Sequence, residues 1–292
     1  MKPTIHHLVI ILLLLSLGVI AQSSGRINPQ NSIYLSDAQV ECIYEYKVNA
    51  PVRGNATNEK MVVNYKTILQ TNNSISKFWD WHSFKRDSIL FFSENEMSKD
   101  SARRLKGKYY SSIEYLFTPV VIKNYPSSQF TEIDAIVFDD YEYNERIPDY
   151  NWELHDDTLT VCGYLCNKAI ASVGGVLWTA WYTPEIFISS GPWKLSGLPG
   201  LIMKATDEST THTFEAVSIR NSNLPIYIER NAQRFKTTKK NLEKIRVEFD
   251  AMDSRDIFDT SVLDMKGSAT ISLDGRRVNI KRTTLYCPLE KL

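Results

Sequence analysis

The chain has 292 residues, and its 34 basic and 34 acidic side chains balance to a formal net charge of zero. This balance gives no indication of nucleic-acid binding, for which a basic face would be expected, so no nucleic-acid partner is predicted. Aromatic residues make up 11% of the chain, which favours β structure.

The N-terminus has the pattern of a secretory signal peptide. Lys2 supplies a positive charge, residues 8–20 are apolar apart from Ser16 and Gly18, and Ala21 offers a cleavage site. The apolar run is too short for a membrane span, and no Cys follows it to receive a lipid. We therefore predict a signal peptide at 1–21, a flexible leader at 22–35 and a single β-rich domain at 36–292. The mature protein is expected to be periplasmic or secreted, without a transmembrane segment.

Alternation of polar and apolar residues predicts strands along most of the domain. It is clearest at 38–48, 61–70 and 131–138, and strands are also expected at 109–117 and around 120–123. Residues 95–106 are charged and compatible with a helix on the outside. Strands recurring between turns predict a curved antiparallel sheet, or half-barrel, of roughly 9 to 11 strands with one or two packed helices.

The C-terminal part has a different pattern. Leu242, Ile245 and Phe249 recur at helical spacing among charged residues, which predicts an amphipathic helix at 237–252. The tail from residue 268 predicts a last hairpin with Asp274-Gly275 as its turn.

Gly174-Gly175 is typical of a two-residue hairpin turn. If these two residues form the turn, the register follows, and it sets three facing pairs: Val173 with Val176, Ala171 with Trp178, and Lys168 with Trp181.

The residues after this hairpin are rich in turn formers. Leu198-Pro199-Gly200 favours a type II turn, with Pro at its second position and Gly at its third. Trp193 and Leu195 alternate with polar residues, which predicts a short strand. The predicted structural turn residues are Gly191, Pro192, Gly197, Pro199 and Gly200.

Three blocks of this region resemble the GLPGLI family of secreted Bacteroidetes proteins. They are GYLCNKA at 163–169, WTAWYTPEI at 178–186 and GPWKLSGLPGLI at 191–202. The resemblance covers about residues 36 to 250 and implies an envelope-associated, β-rich protein. It implies no activity, because the family has no established one.

Trp residues occupy both faces of the strand that follows Gly175. Either a helix covers one face and the core the other, or one face lines an apolar cavity. By analogy with periplasmic lipoprotein carriers, such a cavity holds an acyl chain, although fold analogy is a weak argument for function. The candidate ligand-binding residues are Trp178, Trp181, Tyr182, Trp193, Leu198 and Leu201.

Four cysteines, in an exported protein, predict disulfides, and three pairings are possible. The pairing we favour is Cys162–Cys166 together with Cys42–Cys287. A redox or metal-binding cysteine pair and buried free thiols are the alternatives.

The sequence has no Gly-x-Ser-x-Gly, Walker, Rossmann, His-x-His or HExxH motif. The sequence therefore predicts no catalytic residue, no metal and no cofactor. Three hypotheses remain: a binding module that takes an apolar molecule or docks on an outer-membrane protein, a structural or interaction protein, and a hydrolase. A hydrolase would use His155 with Asp156 or Asp157.

Overall fold

The computed structural model describes residues 32–52, 59–96, 117–136, 139–230, 234–251, 270–273, 276–279 and 287–291. The predicted signal peptide at 1–21 and nearly all of the leader lie outside these residues. So do most of the predicted helix at 95–106 and of the strand at 109–117. Within the described ranges, no helix is both long and apolar enough to cross a membrane.

The described chain is dominated by strands. In chain order they are β1 (Ser32–Asp37), β2 (Val40–Pro51), β3 (Lys60–Thr71), β4 (Ser76–Asp80), β5 (Val120–Lys123), β6 (Gln129–Ile136), β7 (Asp139–Arg146), β8 (Glu153–Val161), β9 (Tyr164–Val173), β10 (Val176–Thr183), β11 (Leu201–Asp207), β12 (His212–Asn221), β13 (Pro225–Glu229), β14 (Phe235–Lys236), β15 (Thr270–Leu273) and β16 (Arg276–Asn279).

Twelve of these strands form one open sheet in the order β14-β7-β6-β5-β4-β3-β2-β12-β11-β10-β9-β8. Strands β1 and β13, and β15 and β16, form two separate pairs. Only the short β14–β7 pairing is parallel among the described strands. The prediction of a large antiparallel sheet is confirmed, although the number of strands exceeds the predicted range.

The predicted hairpin registers are confirmed. Across Gly174-Gly175 the facing pairs are Val176 with Val173, Trp178 with Ala171 and Trp181 with Lys168. In the C-terminal hairpin Leu273 faces Arg276, as expected from a two-residue connection at 274–275.

The sheet curves around an aromatic core on its inner face. Phe78 on β4 and Phe214 on β12 are three strand spacings apart, or roughly 14 Å across a flat sheet. Their ring centroids are nevertheless only 5.8 Å apart. Trp178 on β10 also stacks on Phe214, at 6.1 Å between centroids. Side chains therefore fill the inside of the curve.

Two helices are described, α1 (Trp81–Glu96) and α2 (Lys239–Ala251). Helix α1 was not predicted from the sequence, and it begins directly after β4. Asp80 caps it, because its Oδ1 accepts a hydrogen bond from the Ser83 N–H at 2.6 Å. The predicted amphipathic helix α2 is confirmed, and its Leu242 is fully buried against the sheet beside Tyr143.

The predicted disulfides are not formed: all four cysteines are free thiols. Pro288, next to Cys287, contacts His212, which faces Val48. Val48 is six residues along β2 from Cys42, or roughly 20 Å, whereas a disulfide needs Cα atoms within about 7 Å. Cys162 is exposed in the β8–β9 turn and Cys166 is buried on β9 opposite Leu159, and both are free thiols.

Candidate functional site

Residues 184–200, which we call the crossing, join β10 to β11 without forming a strand. The predicted strand at Trp193 and Leu195 is wrong, because Trp193 has a φ of 52° and Leu195 bonds back to the Pro192 carbonyl. Only Ser190 makes a bridge to a neighbouring strand, at Leu201. The turn chemistry therefore overrides the alternating pattern.

The corner of the crossing is built around Pro199. The Gly200 N–H donates to the Leu198 carbonyl at 2.8 Å, which closes a three-residue turn instead of the predicted type II turn. A Cβ atom at Gly200 would lie 2.1 Å from the Thr183 carbonyl oxygen. Only glycine therefore fits at this position.

The candidate ligand-binding residues lie mostly in the core. Trp178 and Leu201 are completely buried, and the members at most 5% exposed are Trp178, Tyr182, Trp193, Leu198 and Leu201. Because they are buried, these side chains pack in the core of the fold. That they also bind a ligand stays a prediction.

Trp181 is the exception, since it is half-buried on the outer face of β10. Lys168 and Lys204 flank it on the neighbouring strands. No described helix lies on β10, so the two Trp-bearing faces are an inner core face and an outer sheet face.

A cleft of about 530 Å³ opens at the end of the curved sheet where β2 begins and β12 ends. We call it the end cleft. Apolar side chains and polar side chains both contribute to its lining, which consists of Gln39, Val40, Asn73, Tyr164, Glu185, Ile186, Phe187, Ile188, Ile219, Arg220 and Asn221.

Phe187 projects from the crossing at the edge of this cleft. Its side chain is 85% exposed, far more than any other large apolar residue in the described chain. The backbone on either side is tightly bent, because the Ile188 N–H bonds to the Ile186 carbonyl at 2.7 Å and Ser190 repeats the pattern with Ile188. The crossing thus holds an aromatic ring in solvent beside a cleft.

Arg220 is held rigidly at the rim of the cleft. Its Nε donates to the Glu41 carboxylate at 2.7 Å, and one terminal nitrogen donates to the same oxygen. Glu41 is 1% exposed and its other oxygen accepts from Ser222 at 3.0 Å and Gln70 at 3.2 Å. Because Glu41 is saturated, the guanidinium is oriented before any ligand arrives.

Lys194 anchors the far half of the crossing to the rest of the fold. Its ammonium is almost fully buried and lies 2.9 Å from Glu132, 2.5 Å from Glu145 and 2.6 Å from Glu290. It also donates to the Tyr143 hydroxyl at 2.6 Å. The crossing is therefore tied to β6, β7 and the C-terminal segment at one point.

Arg246 extends this network onto α2. Its guanidinium lies 2.6 Å from Glu132, 2.8 Å from Asp134 and 2.6 Å from Glu243. Burial alone would raise the pKa of Glu132, but Lys194 and Arg246 outweigh it and lower this pKa to about 2. Burial likewise works against the charge of Lys194, yet the surrounding carboxylates raise its pKa well above the ordinary value. Both groups stay charged at neutral pH, which makes the network an anchor.

The residues proposed for hydrolysis do not form a catalytic arrangement with one another. The closest carboxylate to His155 Nε2 is Glu153, at 3.7 Å, and Asp157 pairs instead with Lys168 at 3.1 Å. None of these residues lines the end cleft. Among the described residues, no group of three or more His, Cys, Asp or Glu side chains could hold a metal ion.

Residues 173–204 match the model of a family described as "Protein of unknown function (Porph_ging)". This match covers the β9–β10 turn, β10, the crossing and the start of β11. No curated protein matches the sequence.

Two solved structures of PNGF-II, in the P21 and C2 space groups, are similar in fold at 13% sequence identity. Their TM-scores are 0.44 and 0.43, with 71% of this chain covered. The chain spans only about a third of the PNGF-II length, namely 33% and 32%.

Neither the end cleft nor the Lys194 anchor follows from the sequence patterns described above. Lys194 lies within GPWKLSGLPGLI, and Phe187 lies a few residues before it. Neither was among the predicted site residues, which were Trp, Tyr, Leu and turn residues. The one signal that could have singled out Lys194 is a lone charge among residues that are otherwise apolar or small.

Proposed function

We propose that the protein is an exported binding module and that its ligand occupies the end cleft. The observation that carries this proposal is a cleft of about 530 Å³ next to the 85% exposed ring of Phe187. Ligand sites usually enclose about 300 to 1,000 Å³ and combine apolar walls with a few polar groups. Export is inferred from the pattern of residues 1–21.

The packing supports a ligand at the end of the sheet instead of inside it. Trp178, Phe214 and Phe78 are at most 1% exposed and fill the inner face. An acyl chain held as in a lipoprotein carrier would have to displace them. At the end cleft, Val40, Ile188 and Ile219 offer an apolar wall that is already formed.

The anchor at Lys194 supports a preformed site. A surface loop of 17 residues would ordinarily be mobile, but this one is held by the Lys194 carboxylates and by the Ile202 N–H bond to the Ser190 carbonyl at 2.9 Å. Residues 185–188 are therefore positioned without a ligand, which lowers the entropic cost of binding.

The family assignment is part of the same proposal. The hexapeptide GLPGLI at 197–202 supports membership of the GLPGLI family and an envelope location, periplasmic or secreted. An outer-membrane protein that presents the ligand would be a partner of this module.

The test combines native mass spectrometry with a fluorescent probe. The mature protein, purified gently from its own envelope, is expected to carry a reproducible small-molecule adduct. Titration with 1-anilinonaphthalene-8-sulfonate should give a saturable signal that Phe187→Ala weakens. The control is Val62→Ala, because Val62 is 58% exposed but lies on β3 away from the cleft. No adduct, together with equal titrations for wild type and both variants, would count against the proposal.

A second candidate is a structural or interaction protein whose crossing only braces the fold. The Lys194 network favours it, since so many buried charges converge on one loop. In that case the probe titrations are equal, and Lys194 variants lose stability while no ligand is found.

A further inference from the structure

We propose that the ligand of the end cleft is a neutral saccharide, bound by side-chain amides at the rim and stacked on aromatic rings. This inference rests on the proposed function, because it names the class of ligand for the same cleft.

Three side-chain amides at the cleft have hydrogen-bonding capacity left over. Gln39, Asn73 and Asn221 line the cleft and are exposed to solvent, and within the described residues none of these amides bonds to another protein group. The adjacent Asn72 contrasts with them, since its amide donates to Ser36 at 2.8 Å and to the Asp37 carbonyl at 2.7 Å. Each free amide offers two donors and one acceptor oxygen, which matches a ligand that carries neighbouring hydroxyls.

The charges of the cleft favour a neutral ligand. Among the described residues of the lining, Arg220 is the only cation, and the buried carboxylate of Glu41 already neutralises it. Glu185 is the only anion among them and is exposed to solvent, where its field is screened. A phosphate or carboxylate head would find no unpaired positive charge here. The remaining N–H groups of Arg220 can still donate to a hydroxyl.

Two aromatic rings supply the apolar part of the site. Phe187 is 85% exposed and Tyr164 is half-buried, and both line the cleft. A pyranose ring has a C–H face that packs on an aromatic face and hydroxyls around its edge that bind polar groups. Apolar rings together with a polar rim are what such a ligand requires, whereas a hydrocarbon chain would use only the rings and the apolar wall.

A peptide is the alternative that the backbone at this position leaves open. Extended peptides commonly bind by adding a strand to the edge of a sheet. β2 is paired on both sides where it borders the cleft, but β12 pairs with β11 only at residues 213–215. Among the described strands, residues 219–221 of β12 are therefore paired on one side only, and the hexapeptide probe below tests whether a peptide pairs there.

The test compares three classes of probe on the full mature chain by titration calorimetry. The probes are neutral saccharides (lactose, maltotriose and N,N′-diacetylchitobiose), dodecanoate, and an acetylated and amidated hexapeptide of alanine and phenylalanine. We expect at least one saccharide to bind, and Asn73→Ala or Asn221→Ala to weaken it about threefold to tenfold, as expected for loss of a hydrogen bond. Asn64→Ala is the matched control, since Asn64 is an exposed amide on β3 outside the cleft.

The outcomes separate this inference from the proposed function. Binding of dodecanoate or of the hexapeptide, with no saccharide bound, overturns the saccharide but keeps the cleft as a ligand site. Saccharide binding that is equal in the Asn73, Asn221 and Asn64 variants also overturns it. If no probe of the three classes binds and the purified protein carries no adduct, both the saccharide proposal and the proposed binding function are overturned.

Discussion

The ammonium of Lys194 lies 2.9 Å from the carboxylate of Glu132, and both side chains are 4% exposed. Lys194 belongs to the crossing and Glu132 to β6, so this pair connects the two halves of the sheet. Taking two charges out of water is costly unless their remaining hydrogen bonds are satisfied. Here Tyr143 meets that need, because it accepts from Lys194 and donates to Glu132 at 2.8 Å.

Replacing Lys194 by Met should therefore destabilise the protein severely. The substitution removes the cation shared by the buried Glu132 and the partly exposed Glu145 and leaves Glu132 with Arg246 alone. Breaking a buried ion pair typically costs about 3 to 5 kcal/mol. Urea denaturation followed by Trp fluorescence would measure the change in the free energy of unfolding. Lys244→Met is the control, since Lys244 is 72% exposed and its pair with Glu248 is worth at most about 0.5 kcal/mol. Similar losses for the two variants would show that the network is not an anchor.

Substitution of Gly200 by Ala should be far more damaging than the same change at Gly163. The methyl group of an alanine at position 200 would lie 2.1 Å from the Thr183 carbonyl oxygen, so the backbone must move. Gly163 has a φ of 84° but open space around it, which leaves only a conformational cost of about 1 to 2 kcal/mol. Thermal melting of both variants would compare them. The steric account fails if Gly200→Ala melts at the temperature of Gly163→Ala or above.

The free energy of unfolding should fall as the pH rises from 4 to 6, because Asp80 loses its proton in this range. Burial raises the pKa of Asp80 from 3.8 to about 6, although the Ser83 and Phe117 N–H groups oppose this shift. The folded state therefore binds more protons than the unfolded state in this window, so the stabilising contribution is present below pH 3.8 and lost as pH passes 6. We expect a loss on the order of 2 kcal/mol.

The comparison with Asp80→Asn isolates this effect. Burial lowers the pKa of His82 to about 4, so His82 contributes an opposite slope in the same window. Both proteins share that slope, and Glu132 stays ionised throughout because its pKa is about 2. Urea denaturation at several pH values should show a difference between the two proteins that changes between pH 4 and 6. A constant difference would mean that Asp80 titrates normally.

Thiol reactivity should distinguish Cys162 from the buried cysteines. Cys162 is exposed, whereas burial raises the pKa of Cys166 to about 11 and that of Cys42 further. Because the thiolate is the reactive form, Cys162 should be alkylated quickly and the other two only after unfolding. Mass spectrometry of iodoacetamide-treated protein would count the modified thiols. If protein taken from its own envelope shows no free thiol even when denatured, disulfides form and this arrangement of cysteines is incorrect.

Much of the fold follows from local sequence patterns. The register across Gly174-Gly175 was predictable because a two-residue turn leaves one way to pair the flanking strands. Helix α2 was predictable because its apolar residues recur at helical spacing. Helix α1 was not predictable, because its apolar residues continue directly from those of β4 and no boundary is visible in the sequence. Asp80 caps the helix only once the chain has turned at that point.

The candidate site depended on contacts that local patterns do not encode. Trp178, Trp193 and Leu198 looked like a binding surface, but the curvature of the sheet encloses them, and curvature is a property of all its strands together. The end cleft likewise joins residues 39, 164, 187 and 220, which are remote in sequence.

The sequence by itself determined most of the strands and the hairpin turns, because backbone geometry there is set by neighbouring residues. The need for glycine at 200 comes instead from the Thr183 carbonyl, which is 17 residues away in sequence. The tertiary structure decided that Lys194 is buried among Glu132, Glu145 and Glu290, and that Phe187 stands in solvent beside a cleft. Burial of a charge or exposure of an aromatic ring depends on which distant segments meet, and that is settled only when the sheet curves around its core.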